Sequence, residues 1–371
     1  MPKRTMADLP TSFVEPLVCF IAPFSVPQIH SYLLQHYRNK TAKQAKQADR
    51  ETKKTGMQFP ETSQMDGKSP KSVESLAEET HDAITAISGL VDLISTPFIL
   101  AMVTTSLDAI TTHKRGAMNL PITQQQVYRI CMKESMKQRC QRVQNTSAEL
   151  CVTPDECNQF CRQLALSLHR RGLVQDQLPM LDARGHALLG CCPLRLEGLE
   201  EGLNFCFRHK SLQEFYTACA LWDRPSLLQD VPVAGDHPVV RFMAAHLQRS
   251  ACPTQQHLQQ SLLELIHASK QDCSEAAVRC AAGAATILVA AGYSFSGHDL
   301  QGVCLRDANL GAGLFCNANL RGADLRKVQL HGAVLDGANL SSAEMDGVQT
   351  GILPTLQVPG PATPPMGPPE G

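Results

Sequence analysis

An apolar residue recurs at every fifth position from His298 to Val348. The successive units are DLQGV, CLRDA, NLGAG, LFCNA, NLRGA, DLRKV, QLHGA, VLDGA, NLSSA and EMDGV. Their apolar residues are Leu300, Leu305, Leu310, Phe315, Leu320, Leu325, Leu330, Leu335, Leu340 and Met345. A small residue lies two positions before most of these, and Asp or Asn often precedes them directly. This period matches neither a strand, which repeats every two residues, nor a helix, which repeats every 3.6.

Regular glycine and asparagine also argue against an alanine- and leucine-rich helix, because both residues disfavour helix interiors. The units resemble the pentapeptide-repeat family, whose unit is A(D/N)Lxx. The resemblance implies a short right-handed quadrilateral β-solenoid over residues 293–353. In that fold each unit forms one side of a square coil, and the coils stack through backbone hydrogen bonds. The ten apolar residues would point inward and form the core.

Ten units make only about two and a half coils, and a stack with open ends needs capping. Residues 226–292 are predicted to be a helical connector and cap, in which the alanine-rich helix Ala276–Ala291 covers the first coil. After the repeats, residues 354–371 are rich in proline and glycine. This composition predicts a disordered tail rather than a second cap.

The first two-thirds of the chain are predicted to be mainly α-helical, so the fold class is multidomain α + β. Helices are predicted at Ser25–Tyr37, His81–Ile110 (interrupted at Pro97), Val127–Val143 and Cys157–Gly172. Residues 38–80 have few large apolar side chains and a mild basic excess. They are predicted to be a flexible linker or insertion.

Alternating residues at Leu194–Leu196 and Leu203–Phe207 predict a β-hairpin, followed by a helix with an apolar stripe. Ser211 and Glu214 have the spacing of a capping box at the start of this helix. Helices followed by a hairpin indicate a winged-helix-like unit over residues 146–225. His209, next to the cap, is expected to be a structural hydrogen-bonding residue.

Several segments, in this order, resemble NACHT-type signalling NTPases of the STAND class. They are Phe13–Tyr37, TPFILAMV at 96–103, ITQQQVYRICMKESMKQR at 122–139, FRHKSLQEFYTACAL at 207–221, and the repeats with their flanks. The resemblance implies a remnant of the NACHT core at 1–37, a helical lid at 81–145 and a winged-helix domain at 146–225. In some multidomain NACHT proteins, pentapeptide repeats then bridge to a WD-repeat propeller.

Two departures from that family bear on function. The chain has no G-x-x-x-x-G-K-[ST] motif, and Gly67-Lys68-Ser69 lacks the first glycine and the preceding strand of a phosphate loop. No propeller periodicity follows the repeats either. The family's nucleotide-contacting histidine corresponds to His209, which is therefore a weak candidate for nucleotide binding. No cofactor is expected.

Other chemistry finds little support in the sequence. The fifteen cysteines include no CxxC pair, and the nearest histidine to a cysteine is in Cys206–His209, so no metal site is predicted. No Ser–His–acid set, nucleophile elbow or pair of catalytic carboxylates is recognisable, so no enzyme is expected.

A net charge of -1, with no secretory signal or membrane-spanning run, predicts a cytoplasmic protein without nucleic-acid or membrane partners.

These observations favour a non-catalytic protein-interaction, scaffold or regulatory module derived from a NACHT-type NTPase. Arg306, Arg321, Arg326, Lys327 and Asp336 would lie on its exposed faces. The expected partner is a homologous NACHT ATPase domain or a second copy of the chain. The alternative is an internal fragment of a full-length, ATP-switched NACHT protein.

Two nucleic-acid roles are disfavoured. A DNA mimic would need a long, strongly acidic repeat, whereas Asp299–Asp346 carries six acidic and four basic residues. DNA recognition through the winged helix would need a basic helix, but Lys210 is the only cation in the helix after His209.

Overall fold

The computed structural model describes residues 25–55, 72–94, 96–116, 121–146, 151–177, 181–197, 204–233, 238–248 and 253–351. The chain divides into two compact units, Met1–Thr123 and Gln124–Gly371. Three segments discussed above lie outside the described residues. They are the predicted tail at 354–371, the Gly67-Lys68-Ser69 sequence, and residues 1–24 of the predicted NACHT remnant.

The helices are α1 (Val26–Thr55), α2 (Val73–Thr85), α3 (Leu90–Leu93), α4 (Pro97–Thr105), α5 (Leu107–Gly116), α6 (Gln124–Thr146), α7 (Pro154–Arg170), α8 (Ala183–Cys191), α9 (Lys210–Asp223), α10 (Pro238–Leu247), α11 (Pro253–Ala268) and α12 (Glu275–Ala290). A 3-10 helix, Pro225–Gln229, follows α9. The strands are β1 (Gln175–Gln177), β2 (Leu194–Glu197) and β3 (Asn204–Phe207). The part before the repeats is mainly helical, as the sequence predicts.

The first unit begins with two packed helices. Ile29 and Leu33, which are four residues apart on α1, are both buried, as are Ala77 and Ile84 on α2. The hydroxyls of Tyr37 and Thr80 are 2.7 Å apart and share a hydrogen bond between the two helices. Apolar spacing and this polar contact together fix the α1–α2 pair.

This pairing corrects the predicted flexible linker over residues 38–80. Helix α1 continues to Thr55, and α2 already begins at Val73. The lysine, glutamine and alanine residues that suggested a linker are good helix formers, so the helix extends beyond its buried stripe. The middle of the predicted linker, residues 56–71, lies outside the described part of the chain.

Pro97 marks a helix start rather than a kink. The Thr96 hydroxyl accepts a hydrogen bond from the backbone N–H of Ile99, and Pro97 occupies the first turn of α4. Proline is well suited to this position because its fixed backbone angle fits the helix and its missing N–H would have no partner there. The predicted segment His81–Ile110 is consequently divided among four helices, α2 to α5.

A small antiparallel sheet organises the middle of the second unit. Its strand order is β1–β3–β2, with Leu194 opposite Phe207 and Gln175 opposite Cys206. The predicted hairpin of β2 and β3 is confirmed. Strand β1 was missed because its sequence, QDQ, has no apolar alternation to signal it.

Aromatic side chains join helices α6, α9 and α10. The ring centroid of Tyr128 lies 5.5 Å from that of Phe215 and 5.2 Å from that of Phe242. Such distances are typical of favourable aromatic pairs. The predicted lid at 81–145 is therefore corrected, because α6 belongs to the second unit and the boundary falls at Thr123–Gln124.

Residues 293–351, named here the repeat stack, are held by parallel bridges between residues twenty positions apart. The bridged pairs are Ser294–Leu314, Asp299–Asn319, Cys304–Asp324, Asn309–Gln329, Leu314–Val334, Asn319–Asn339, Asp324–Glu344 and Gln329–Gln349. Each five-residue unit contributes one bridged residue, and four units separate bridged partners. We call each twenty-residue segment a layer.

Candidate interaction surface

The interior of the repeat stack follows the five-residue period only in part. Seven of the predicted core residues, Leu300, Leu305, Leu310, Phe315, Leu320, Leu325 and Leu330, are 5% exposed or less. Leu335 and Leu340 are partly exposed, and Met345 is 39% exposed, which corrects its assignment to the core. The bridges end at Gln349 within the described residues, so Met345 has no further layer stacked over it there.

Phe295 is an inward-facing residue that the sequence pattern missed. It is 1% exposed, and its ring stacks on that of Phe315 with centroids 5.3 Å apart and planes nearly parallel. The available signal was its position, five residues before Leu300. The unit around it, SFSGH, lacks the small residue and the Asp or Asn that mark the later units.

Each five-residue unit turns at a residue with a left-handed backbone, two positions after the inward residue, and we call this turn position a corner. Glycine occupies six of these corners: Gly297, Gly302, Gly322, Gly332, Gly337 and Gly347. Non-glycine residues occupy five: Asp307, Ala312, Asn317, Lys327 and Ser342. Only glycine adopts this conformation without steric cost, so the corners explain the glycine that recurs in the repeats.

Side chains on α12 and in the turn after α11 form hydrogen bonds with the backbone of the first layer. The Thr286 hydroxyl, on α12, accepts from the backbone N–H of Asn309 at 3.0 Å. The Ser269 hydroxyl accepts from the N–H of Cys304 at 3.0 Å. Lys270 donates to the carbonyl oxygen of Asp299 at 3.1 Å. These contacts supply partners for backbone groups that would otherwise form an open edge.

Both hydroxyls donate one hydrogen bond as well as accept one. Thr286 also donates to the carbonyl of Ala282, and Ser269 donates to that of Ile266. Each oxygen therefore donates within its own segment and accepts from the first layer. The sequence predicted that an alanine-rich helix lies here, but its pattern did not single out these two polar residues.

Opposite charges balance one face of the repeat stack. Asp324 accepts hydrogen bonds from Arg306, at 2.9 Å, and from Arg326, at 2.7 Å. Glu344 forms a further ion pair with Arg326 at 3.2 Å. The hydrogen bonds from Arg326, followed by those from Arg306, hold the pKa of the Asp324 carboxyl well below its usual range. Arg306 and Arg326 are thus committed to internal pairs.

The remaining predicted surface residues are more accessible. Arg321, Lys327 and Asp336 are exposed. They lie on the outside of a backbone that is hydrogen-bonded from layer to layer. Charged side chains of both signs are therefore exposed along a hydrogen-bonded backbone.

Helix α9 begins before Ser211, the predicted cap residue. His209 is the N-cap residue, and its Nδ1 atom accepts from the backbone N–H of Ser211 at 3.2 Å. This corrects the predicted Ser211–Glu214 capping box. Glu214 instead lies 3.9 Å from Lys210, and burial raises the pKa of its carboxyl.

Ser211 connects His209 to the aromatic core. The hydroxyl of Tyr128 donates to Ser211 Oγ at 2.7 Å, and Ser211 Oγ lies 2.6 Å from His209 Nδ1. Burial lowers the pKa of His209, which favours its neutral form. Because Nδ1 accepts hydrogen bonds here, the ring positions the start of α9. Its role as a nucleotide ligand stays a prediction.

The layers define a repeat protein with a five-residue unit. Comparison with known proteins agrees with this class. Residues 314–348 match the family model "Pentapeptide repeats" in eight copies. The matched segment begins with the second layer and ends at Val348. No curated protein matches the chain.

None of the helices in the described segments is both long and apolar enough to cross a membrane.

Proposed function

We propose that the chain is a non-catalytic protein-interaction module, with the repeat stack as its binding surface. The observation that carries this proposal is the combination of a buried repeat interior with exposed Arg321, Lys327 and Asp336. Backbone hydrogen bonds between layers hold the main chain that carries these side chains in place. The backbone of such a surface needs little ordering on binding, which favours association with another protein.

The proposal also includes the fold of the repeat stack and of the helical part before it. We infer that the repeat stack is a right-handed quadrilateral β-solenoid, since bridged residues are separated by four units. We also infer that α7, α8, α9 and the three-stranded sheet form a winged-helix-like unit. The order of these elements supports derivation from a NACHT-type signalling NTPase, with a homologous NACHT ATPase domain or a second copy of the chain as partner.

A charge in the interior tests the solenoid. Leu325 is 1% exposed, so Leu325→Asp would bury an unpaired carboxylate and should unfold residues 298–350. Limited proteolysis with mass spectrometry would then detect new cleavage sites in that segment. Arg321→Asp, at an exposed position nearby, is the matched control and should leave the digestion pattern unchanged. Equal protease resistance in both variants would refute the β-solenoid assignment.

Binding measurements test the proposed function. We expect the full chain to self-associate in sedimentation velocity, or to bind an immobilised homologous NACHT ATPase domain. Replacing Arg321 and Lys327 together by glutamate should weaken that association at least about tenfold, since it reverses two exposed charges.

A double replacement of Lys133 and Lys137 by glutamate is the control for this test. Both lysines are exposed on α6, so the change in net charge is the same. A monodisperse monomer that binds no ATPase domain would contradict the proposal. Equal weakening by the two double variants would show that net charge acts, rather than the surface of the repeat stack.

The proposed location is the cytoplasm. All thirteen cysteines among the described residues are free thiols. Such a pattern suits a reducing compartment, where thiols persist.

A further inference from the structure

Three helices of the second unit bring buried thiols together. Cys140 lies on α6, Cys157 on α7 and Cys191 at the end of α8. Their Sγ atoms are all within 4.8 Å of one another, and each residue is 2% exposed or less. No local sequence pattern signals this cluster, because its members are far apart in the chain and form no CxxC pair.

The spacing of the sulfur atoms fits a tetrahedral metal centre. A zinc–sulfur bond of about 2.3 Å places neighbouring thiolates of a tetrahedral site about 3.8 Å apart. The Sγ atoms of Cys140 and Cys157 are 3.7 Å apart. A disulfide would instead require a sulfur–sulfur distance of about 2.0 Å and would use only two of the three thiols.

A fourth thiol adjoins the cluster. Cys192 follows Cys191 directly, is 2% exposed, and has its Sγ atom 3.8 Å from the carbonyl oxygen of Cys157. To act as a fourth ligand, this thiol would have to turn from the carbonyl oxygen of Cys157 towards the other three sulfur atoms.

A cation lies beside the cluster. Arg139 donates a hydrogen bond to the carbonyl oxygen of Cys192 at 2.7 Å. Four thiolates around a divalent ion carry two net negative charges, so the Arg139 guanidinium would offset part of the charge of an occupied site.

We propose that Cys140, Cys157, Cys191 and Cys192 bind one zinc ion. The ion joins α6, α7 and α8, and it therefore stabilises the second unit from within. Zinc binds the thiolate form of cysteine, so binding replaces the thiol proton of each ligand. Each ligand releases its proton to solvent as its bond to zinc forms.

Metal analysis of the full chain tests the site. Protein purified under reducing conditions from zinc-supplemented cells should contain about one zinc per chain after gel filtration. The Cys157→Ser variant should lose at least about tenfold in zinc affinity, measured by competition with a chromogenic chelator. Cys219→Ser is the matched control, since Cys219 is buried in the same unit on α9 and should retain the ion.

Cobalt substitution tests the site in the wild-type chain, where the result does not depend on whether a variant folds. The wild-type chain, stripped of metal and titrated with Co²⁺, should show thiolate-to-cobalt charge-transfer bands and the visible bands of a tetrahedral site. Loss of both bands in folded Cys191→Ser would support the proposal.

Three results would overturn it. The first is a folded, reduced wild-type chain that binds neither zinc nor cobalt. The second is a Cys140–Cys157 disulfide in metal-free native protein, detected by thiol counting and mass spectrometry. The third is zinc that persists in folded Cys157→Ser and Cys191→Ser, because the ion would then lie elsewhere in the chain.

Discussion

At the scale of single residues, the corners of the repeat stack determine which substitutions are tolerated. Gly302 has a φ of 68°, and an added Cβ would meet no atom within 4 Å. Ala312 occupies an equivalent corner with a φ of 58°. These two positions therefore separate the cost of backbone conformation from the cost of crowding.

We predict opposite effects for two reciprocal substitutions. A side chain in the left-handed region destabilises the folded chain by about 1–2 kcal/mol. Alanine in place of glycine stabilises the folded chain by about 0.4–1 kcal/mol, because the unfolded chain then has fewer conformations to lose. Gly302→Ala should consequently lower the free energy of unfolding by about 0.5–1 kcal/mol, and Ala312→Gly should raise it by a similar amount. Urea unfolding followed by circular dichroism measures both, and shifts of the same sign would contradict the prediction.

The sequence could supply most of the interior at this scale, but not all of it. The five-residue period identified the inward residues from Leu300 to Leu330, because the same position of each unit is buried. Phe295 escaped because its unit lacks the flanking residues. Met345 was assigned to the core because periodicity carries no information about where stacking ends. The cysteine cluster depends on the packing of three helices, which no local pattern reveals.

At the scale of elements, the junction between α12 and the repeat stack depends on individual hydroxyls. Thr286 is 3% exposed and accepts from the N–H of Asn309. A backbone N–H that is buried without a partner costs more than an ordinary hydrogen bond contributes. The helix was predictable from its alanine content, whereas its partner in the first layer was not.

We predict that Thr286→Val destabilises the second unit by about 1–3 kcal/mol, because the amide of Asn309 loses its acceptor. Hydrogen exchange at Asn309 should also accelerate. Thr217→Val is the control: this buried hydroxyl on α9 donates to the carbonyl of Gln213 within the same helix, so its loss should change stability by about 0.5 kcal/mol or less. Similar losses in the two variants would argue against a specific capping role for Thr286.

At the scale of the whole molecule, the division at Thr123–Gln124 separates two groups of buried residues. The first unit buries the faces of α1 and α2, and the second buries the aromatic cluster around Tyr128. The sequence placed this boundary after 145 because α6 resembled part of a lid. Its aromatic partners, Phe215 and Phe242, are far along the chain and could not be inferred from local pattern.

We predict that residues 124–371 fold without the first unit, since domains with their own core generally do so. The truncated chain should unfold within about 3 °C of the corresponding transition in the full chain, measured by differential scanning calorimetry. Aggregation on expression, or a midpoint lower by more than about 10 °C, would show that the two units depend on each other.

The separation of twenty residues between bridged partners also governs how this molecule can change length. Duplication or deletion of four whole units adds or removes a complete layer, and every remaining bridge keeps its alignment. Insertion of a single residue would instead displace all later inward positions from the interior. Gene rearrangement can therefore lengthen the repeats in steps of twenty residues, while the hydroxyls of Ser269 and Thr286 continue to serve the first layer unchanged.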